Sequence, residues 1–301
     1  MPTTYDRIVL AYKEWLGLLG YSKSTVNSMP KRIQEFFNYL ESEKIQSIQA
    51  IEQNHIKAFY IQQKTRVSLN NGKLLSNSTI NGYLRNLRLL AQYLQETEQG
   101  FLEVDIPNEP KTTPEKEILS QSEIKQLYNA IDERTTGLRD RTLLNIYYGC
   151  GLRSNEGIQL NVSDVLLEKG LLYVRKGKGY KERYVPFIAT QKKDFEDYLK
   201  YGRPQLVKAP SPLEKAGDEA FLINNHSRRM NYNNALKILK TLQSRTENYS
   251  LQNKQIGLHT LRHSIATHLM QSGMQIENIS TFLGHKRLSS TQIYTHIVNK
   301  L

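Results

Sequence analysis

Five of the seven histidines in this 301-residue chain, His259, His263, His268, His285 and His296, fall in its last 43 residues, a clustering that asks for a chemical explanation. A metal is one candidate, since His259 and His263 are four apart and would share a helix face. Against it, there is no HExxH arrangement, the single cysteine, Cys150, is remote, and no Asp or Glu interleaves His259 to His268. Phosphodiester chemistry is the other. His259 and Arg262 stand three apart, nearly one helical turn, so an imidazole and a guanidinium can address one anionic centre. Leu283-Gly284-His285 supplies another imidazole after a glycine turn, and Tyr294 follows nine residues later in a helix that Ser289 or Ser290 would cap. Upstream, Gly149-Cys150-Gly151-Leu152-Arg153 presents an arginine at a glycine-rich helix start, and Lys178 lies between Gly177 and Gly179.

The elements that must position these groups can be read from periodicity. The first hundred residues predict an all-α module: a helix through Val9, Trp15 and Leu19 stopped by Gly20, a second capped by Ser24, a third from Ile48 to Arg66, and a fourth capped by Ser78 and carrying Ile80 to Leu94. Residues 106–116, with Pro107, Pro110 and Pro114 and no apolar period, read as a linker. Beyond it, Ser120-Gln121-Ser122-Glu123 forms a capping box, a helix covers Arg139 to Tyr148, and strands at Gly170–Arg175 and Glu182–Pro186 flank the basic hairpin loop Lys176–Lys181. The remainder is mostly helical. The expected architecture is mainly α: an all-helical domain over residues 1–105, the linker, and a mixed α+β, mostly helical domain with a small antiparallel sheet over residues 117–301.

Composition narrows the classes. No run approaches the roughly 20 apolar residues of a membrane-spanning helix, mean hydropathy is −0.56, and no secretory signal opens the chain. A lone cysteine excludes an intramolecular disulfide and fits a reducing cytosol. The net charge is +12, divided as +2 up to residue 105 and +10 after it. Such a basic surplus suits a polyanion-binding surface, although a solvated basic face would count the same.

The motifs resemble those of the tyrosine site-specific recombinases, the integrase family, among them its compact Xer-like members. The resemblance rests on Gly151-Leu152-Arg153-Ser154-Asn155-Glu156, on Gly177-Lys178-Gly179-Tyr180-Lys181-Glu182-Arg183, on the box His259-Thr260-Leu261-Arg262, and on Leu283-Gly284-His285 through Tyr294-Thr295-His296. Six positions in register carry it over essentially the whole chain, the N-terminal module corresponding to the family's core-binding domain. It implies that Tyr294 is a nucleophile toward DNA, His259 its proton acceptor, Lys178 the acid for the leaving 5′ oxygen, and Arg153, Arg262 and His285 the donors to nonbridging oxygens, with Glu156 orienting the cations. It also implies a 3′-phosphotyrosyl intermediate that conserves bond energy, no ATP, metal or other cofactor, double-stranded DNA as partner, a tetramer on two sites, no membrane association, and a cytoplasmic, nucleoid-associated place of action.

Other readings stand beside these. His263 and His268 are expected to pack or cap, Lys181 and Arg183 to touch backbone phosphate or solvent, Arg85 and Arg88 to be solvated or near DNA, and Trp15, Phe36 and Phe37 to be core. A type IB topoisomerase would share the Arg, Lys, His and Tyr chemistry, and a non-catalytic DNA-binding accessory protein would share fold and charge. Seven residues follow Tyr294, little length for the further helix that Xer-like proteins exchange between protomers, and a first helix near residue 4 leaves the expectation of a simple recombinase without an arm-binding domain.

Overall fold

The computed structural model describes residues 3–69, 72–110, 117–175, 182–207 and 219–284, in two compact units that divide after Pro114. In the first unit, α1 (Thr4–Leu18) begins with a reciprocal cap in which the Asp6 N–H donates to Thr3 Oγ1 and the Thr3 N–H to Asp6 Oδ2. It ends where Gly20 takes a left-handed φ of +74°. Helices α2 (Lys23–Ser42) and α4 (Asn77–Glu96) start two residues earlier than periodicity predicts, capped by Ser22 and Ser76 rather than Ser24 and Ser78. The reason is local: each of these serines has a threonine three residues on whose N–H it accepts, at 3.2 Å in both cases. The expected single helix from Ile48 is interrupted. A 3-10 turn at Ile48–Ala50 is followed by extended backbone, and α3 covers Gln53–Thr65.

The apolar faces of these helices meet in an aromatic core. Tyr5 stacks on Phe37 at 4.2 Å between ring centroids, and Phe36 meets Phe59 edge-on at 5.1 Å. Trp15 lies partly buried against this core, stacked on Tyr12. Residues of the predicted linker also pack here: Ile106 is buried, Arg88 donates to the Ile106 carbonyl and to Asn108 Oδ1, and the Glu109 N–H donates to Asn81 Oδ1 at 2.7 Å. Arg88, half-buried, thereby holds an extended strap onto α4, while Arg85 is exposed.

The second unit begins with α5 (Gln121–Asn129), whose predicted capping box is present, and α6 (Thr135–Leu144), which widens into a π turn at Asn145–Gly149. Short α7 (Ser154–Gln159) follows the glycine turn. An antiparallel sheet of β1 (Val165–Leu166), β2 (Leu171–Val174) and β3 (Arg183–Pro186) has the order β1-β2-β3; β1, too short for a periodic signal, is absent from the sequence reading. Register pairs Val174 with Arg183 and Leu172 with Val185. Then come α8 (Ala189–Asp197), a second π turn at Tyr198–Gly202, α9 (Arg203–Leu206), α10 (Tyr232–Arg245), α11 (Tyr249–Asn253), α12 (Leu258–Gln271) and α13 (Ile276–Phe282). One continuous core joins α12, the sheet and the π turns through Leu261, Ile265, Val174, Val185, Tyr147 and Tyr198. Among the described residues no helix is long and apolar enough to cross a membrane.

Phe37→Ala removes a fully buried ring that stacks on Tyr5 and is expected to cost about 3–5 kcal/mol in denaturant unfolding of the first unit. Phe101, 71% exposed, is the control, and its alanine variant should change stability by no more than about 0.5 kcal/mol.

Candidate active site

The site starts from the turn between the π segment and α7. Gly151 holds φ +58°, and a Cβ there would fall 2.9 Å from Leu283 Cδ2, so glycine is required by both dihedral and space. The turn delivers Arg153 to the start of α7. Glu156, in the helix's first turn, folds back on it: the Arg153 N–H donates to Glu156 Oε2 at 2.9 Å, and Arg153 Nη1 donates to Oε1 at 2.7 Å. The Arg153 side chain stays 23% exposed.

The other arginine comes from α12. Its core-facing residues Leu258, Leu261, Ile265 and Leu269 are buried, and Thr260 Oγ1 closes the first turn by accepting from the Gly257 N–H at 3.0 Å. Arg262 is buried and donates to two backbone carbonyls, that of Gly151 and, at 2.6 Å, that of Leu283. Its Nη1 also stands 3.9 Å from Glu156 Oε2. Burial and the neighbouring Arg153 charge bring the guanidinium pKa down to about 10, still cationic at neutral pH. His259, one turn earlier, keeps an exposed face, and partial desolvation with the charges of Arg262 and Arg153 lowers its pKa. A neutral imidazole, able to take up a proton, is thereby favoured at pH 7.

Glu156 has one further partner. Arg183 on β3 donates from Nη1 to Oε1 at 3.0 Å and from Nη2 to Oε2 at 2.7 Å, a bidentate pair whose side chains are 6% and 3% exposed. The expectation that Arg183 meets backbone phosphate or solvent is corrected here: it is buried against Glu156. Strand alternation carried the signal, since Arg183 shares the inward face of β3 with Val185 while Tyr184 between them is exposed. Burial pushes the Glu156 carboxyl up, but the hydrogen bonds and charge of Arg183 and Arg153 outweigh it and bring the pKa down to about 2.

The structure thus brings Arg153, Glu156, His259 and Arg262 together and adds Arg183. Lys178, His285 and Tyr294 lie outside the described residues, as does Lys181. His268 is buried and shares a hydrogen bond with the Tyr148 hydroxyl, so it packs. Among the described residues no group of three or more His, Cys, Asp or Glu side chains is arranged to hold a metal ion.

A cluster of guanidinia around one carboxylate, with an imidazole beside it, stands on a mainly helical fold with a small antiparallel sheet. Comparison with known proteins gives the family. The model of the phage integrase family matches residues 117–300. Tyrosine recombinase XerD of Oceanobacillus iheyensis is 31% identical over 283 residues, covering 92% of this chain and 89% of that protein. Tyrosine recombinase XerC of Bacillus subtilis is 31% identical over 290 residues, covering 94% and 88%. In fold, the chain is similar to the XerH site-specific recombinase bound to its difH substrate, with TM-score 0.67, 21% identity and coverage of 98% of this chain and 82% of that one. It is likewise similar to a lambda integrase dimer bound to a core site, with TM-score 0.64, 14% identity and coverage of 93% and 94%. The chain belongs to the phage integrase family and is a tyrosine recombinase.

The Glu156 carboxylate yields a pH signature. Its pKa is about 2 when folded against about 4.3 unfolded, which corresponds to about 3 kcal/mol of stability. A depressed folded pKa means that this contribution is fully present above the unfolded value and is lost as pH falls toward 2. Glu156→Gln should therefore be destabilised by about 3–5 kcal/mol at pH 7, and its unfolding free energy should converge on that of the parent protein as pH is lowered from 5 to 2.

Proposed function

We propose that this recombinase exchanges strands between two short duplex sites with Tyr294 as nucleophile. The Tyr294 oxygen bonds to the scissile phosphorus while the bond to the 5′ oxygen breaks. The phenol proton passes to His259, and Lys178 supplies a proton to the leaving oxygen, so one phosphoester replaces another and a free 5′ hydroxyl results. Arg153, Arg262 and His285 bind the nonbridging oxygens.

The observation that carries this reading is the arginine cluster on one buried carboxylate. Arg153, Arg183 and Arg262 against Glu156 leave a surplus of two positive charges among these four groups. A phosphodiester carries one negative charge and its pentacoordinate transition state two, so the cluster matches the transition state better than the ground state. The lowered pKa of His259 supports its role as acceptor of the phenol proton. No cofactor is invoked, since guanidinium and imidazole do the charge work.

Duplex DNA as partner is supported by the basic surplus and by the DNA complexes of the XerH and lambda proteins. Binding should weaken steeply with salt through counterion release. In this reading residues 1–105 form the core-binding domain, residues 117–301 the catalytic domain, four protomers assemble on two sites, and the protein works in the cytoplasm at the nucleoid.

The test uses a nicked duplex carrying the site recovered by selection from random-sequence DNA. The protein should form a covalent complex in the presence of EDTA, and Tyr294→Phe should abolish it while retaining DNA binding. Covalent capture by Tyr294→Phe, or loss of cleavage in EDTA, would refute the mechanism, and transfer of strands between two different duplexes separates recombination from relaxation. Lys178→Ala should slow cleavage far less when the leaving 5′ oxygen is replaced by sulfur, which needs little protonation; equal slowing on both substrates removes Lys178 from the acid role.

A further inference from the structure

Arg183 closes a loop of contacts through the site. It grips both oxygens of Glu156, at 3.0 and 2.7 Å; Glu156 holds Arg153 at 2.7 Å; and Arg153 Nη2 donates to the Gly284 carbonyl at 3.4 Å. The loop returns to its start because Gly284 lies over Arg183: a Cβ on Gly284 would stand 2.4 Å from Arg183 Nε and 2.6 Å from Cζ. Gly284 has φ +73°. Its missing side chain therefore serves a close approach to a guanidinium as well as a left-handed turn. Arg183 Nε is buried and has no hydrogen-bond partner among the described residues, so this guanidinium is committed to Glu156 through its two terminal nitrogens.

We propose that Arg183 is a positioning residue of this recombinase: through Glu156 it sets the orientation of Arg153. The inference rests on the reading of Arg153 as a ligand of the scissile phosphate. Without Arg183 the Glu156 carboxylate loses its bidentate partner and can rotate toward Arg153, drawing that fork off the phosphate, while Arg262 stays held by the carbonyls of Gly151 and Leu283. Lysine at position 183 would keep the charge and lose the two-point geometry.

A double-mutant cycle tests it, using the full chain at saturating concentration on the nicked duplex, where trapped product accumulates and slow variants are followed over days. Arg153→Ala alone should slow cleavage by about 100–1,000-fold; if it does not, the phosphate-ligand reading of Arg153 fails, a result distinct from failure of the present proposal. Arg183→Lys should slow cleavage by about 10–100-fold, with affinity for uncleaved duplex unchanged within about twofold. In the Arg153→Ala background the same substitution should change the rate by no more than about twofold, since residues acting in series are non-additive. Equal slowing in both backgrounds, no slowing in either, or a parallel loss of DNA affinity overturns the proposal. Should Arg183→Lys fail to fold by circular dichroism, the same cycle is run with Arg183→Gln, which removes the buried cation: slowing at least about tenfold smaller in the Arg153→Ala background than in the parent supports the proposal, and equal slowing overturns it.

Discussion

A single buried carboxylate organises the charged cluster of the second unit. Glu156 accepts from Arg153 and Arg183 and stands within 3.9 Å of Arg262, so three guanidinia from α7, β3 and α12 converge on two oxygens. Taking one such charge out of water costs several kcal/mol, and like charges brought together cost more. The cluster is tenable because the carboxylate is fully engaged and because carbonyls of Gly151 and Leu283 accept from Arg262. The surrounding elements can be understood as what is needed to hold those donors in place. A π turn and a left-handed glycine bring Arg153 in, strand alternation turns Arg183 inward, and an apolar face locks α12.

The same arrangement trades stability for charge. A carboxylate paired with one arginine would be neutral, whereas here two cations remain in surplus, and burial together with the charges of Arg262 and Arg153 lowers the pKa of the adjacent His259. Self-repulsion of this kind is the usual cost of electrostatic preorganisation, because donors aimed at a developing charge must be unsatisfied, or satisfied only by one another and by backbone, before that charge arrives. The first unit shows the opposite balance. Its aromatic core and the strap of residues 102–110 bury apolar rings and satisfy polar groups within the unit.

Much of this was legible in sequence, and the limits of legibility are physical. Within an element, spacing determines adjacency: His259 and Arg262 had to share a helix turn, Glu156 had to reach back to Arg153, and Ser120 with Glu123 had to cap α5. The helix starts at Ser22 and Ser76 were misread by two residues because apolar periodicity does not weigh a hydroxyl that accepts from the N–H three positions on. Arg183 was misread for a different reason. A basic side chain is exposed by default, and only knowledge of what lies across from it, here Glu156, turns it inward.

By itself, then, the sequence determined the chemistry on offer: arginines, histidines, a lysine and a tyrosine in family order, on a mainly helical chain with its basic surplus beyond residue 105. These follow from residue type and from periods of 3.6 and 2, which are local properties of the backbone. Tertiary structure alone decided which cation answers to which carboxylate. Arg183 and Glu156 are 27 positions apart and Arg262 and Gly151 are 111 apart, and no local rule spans such separations. They meet because one core packs the sheet, the π turn and α12 together, so that the placement of charge is settled by the packing of apolar side chains that carry none.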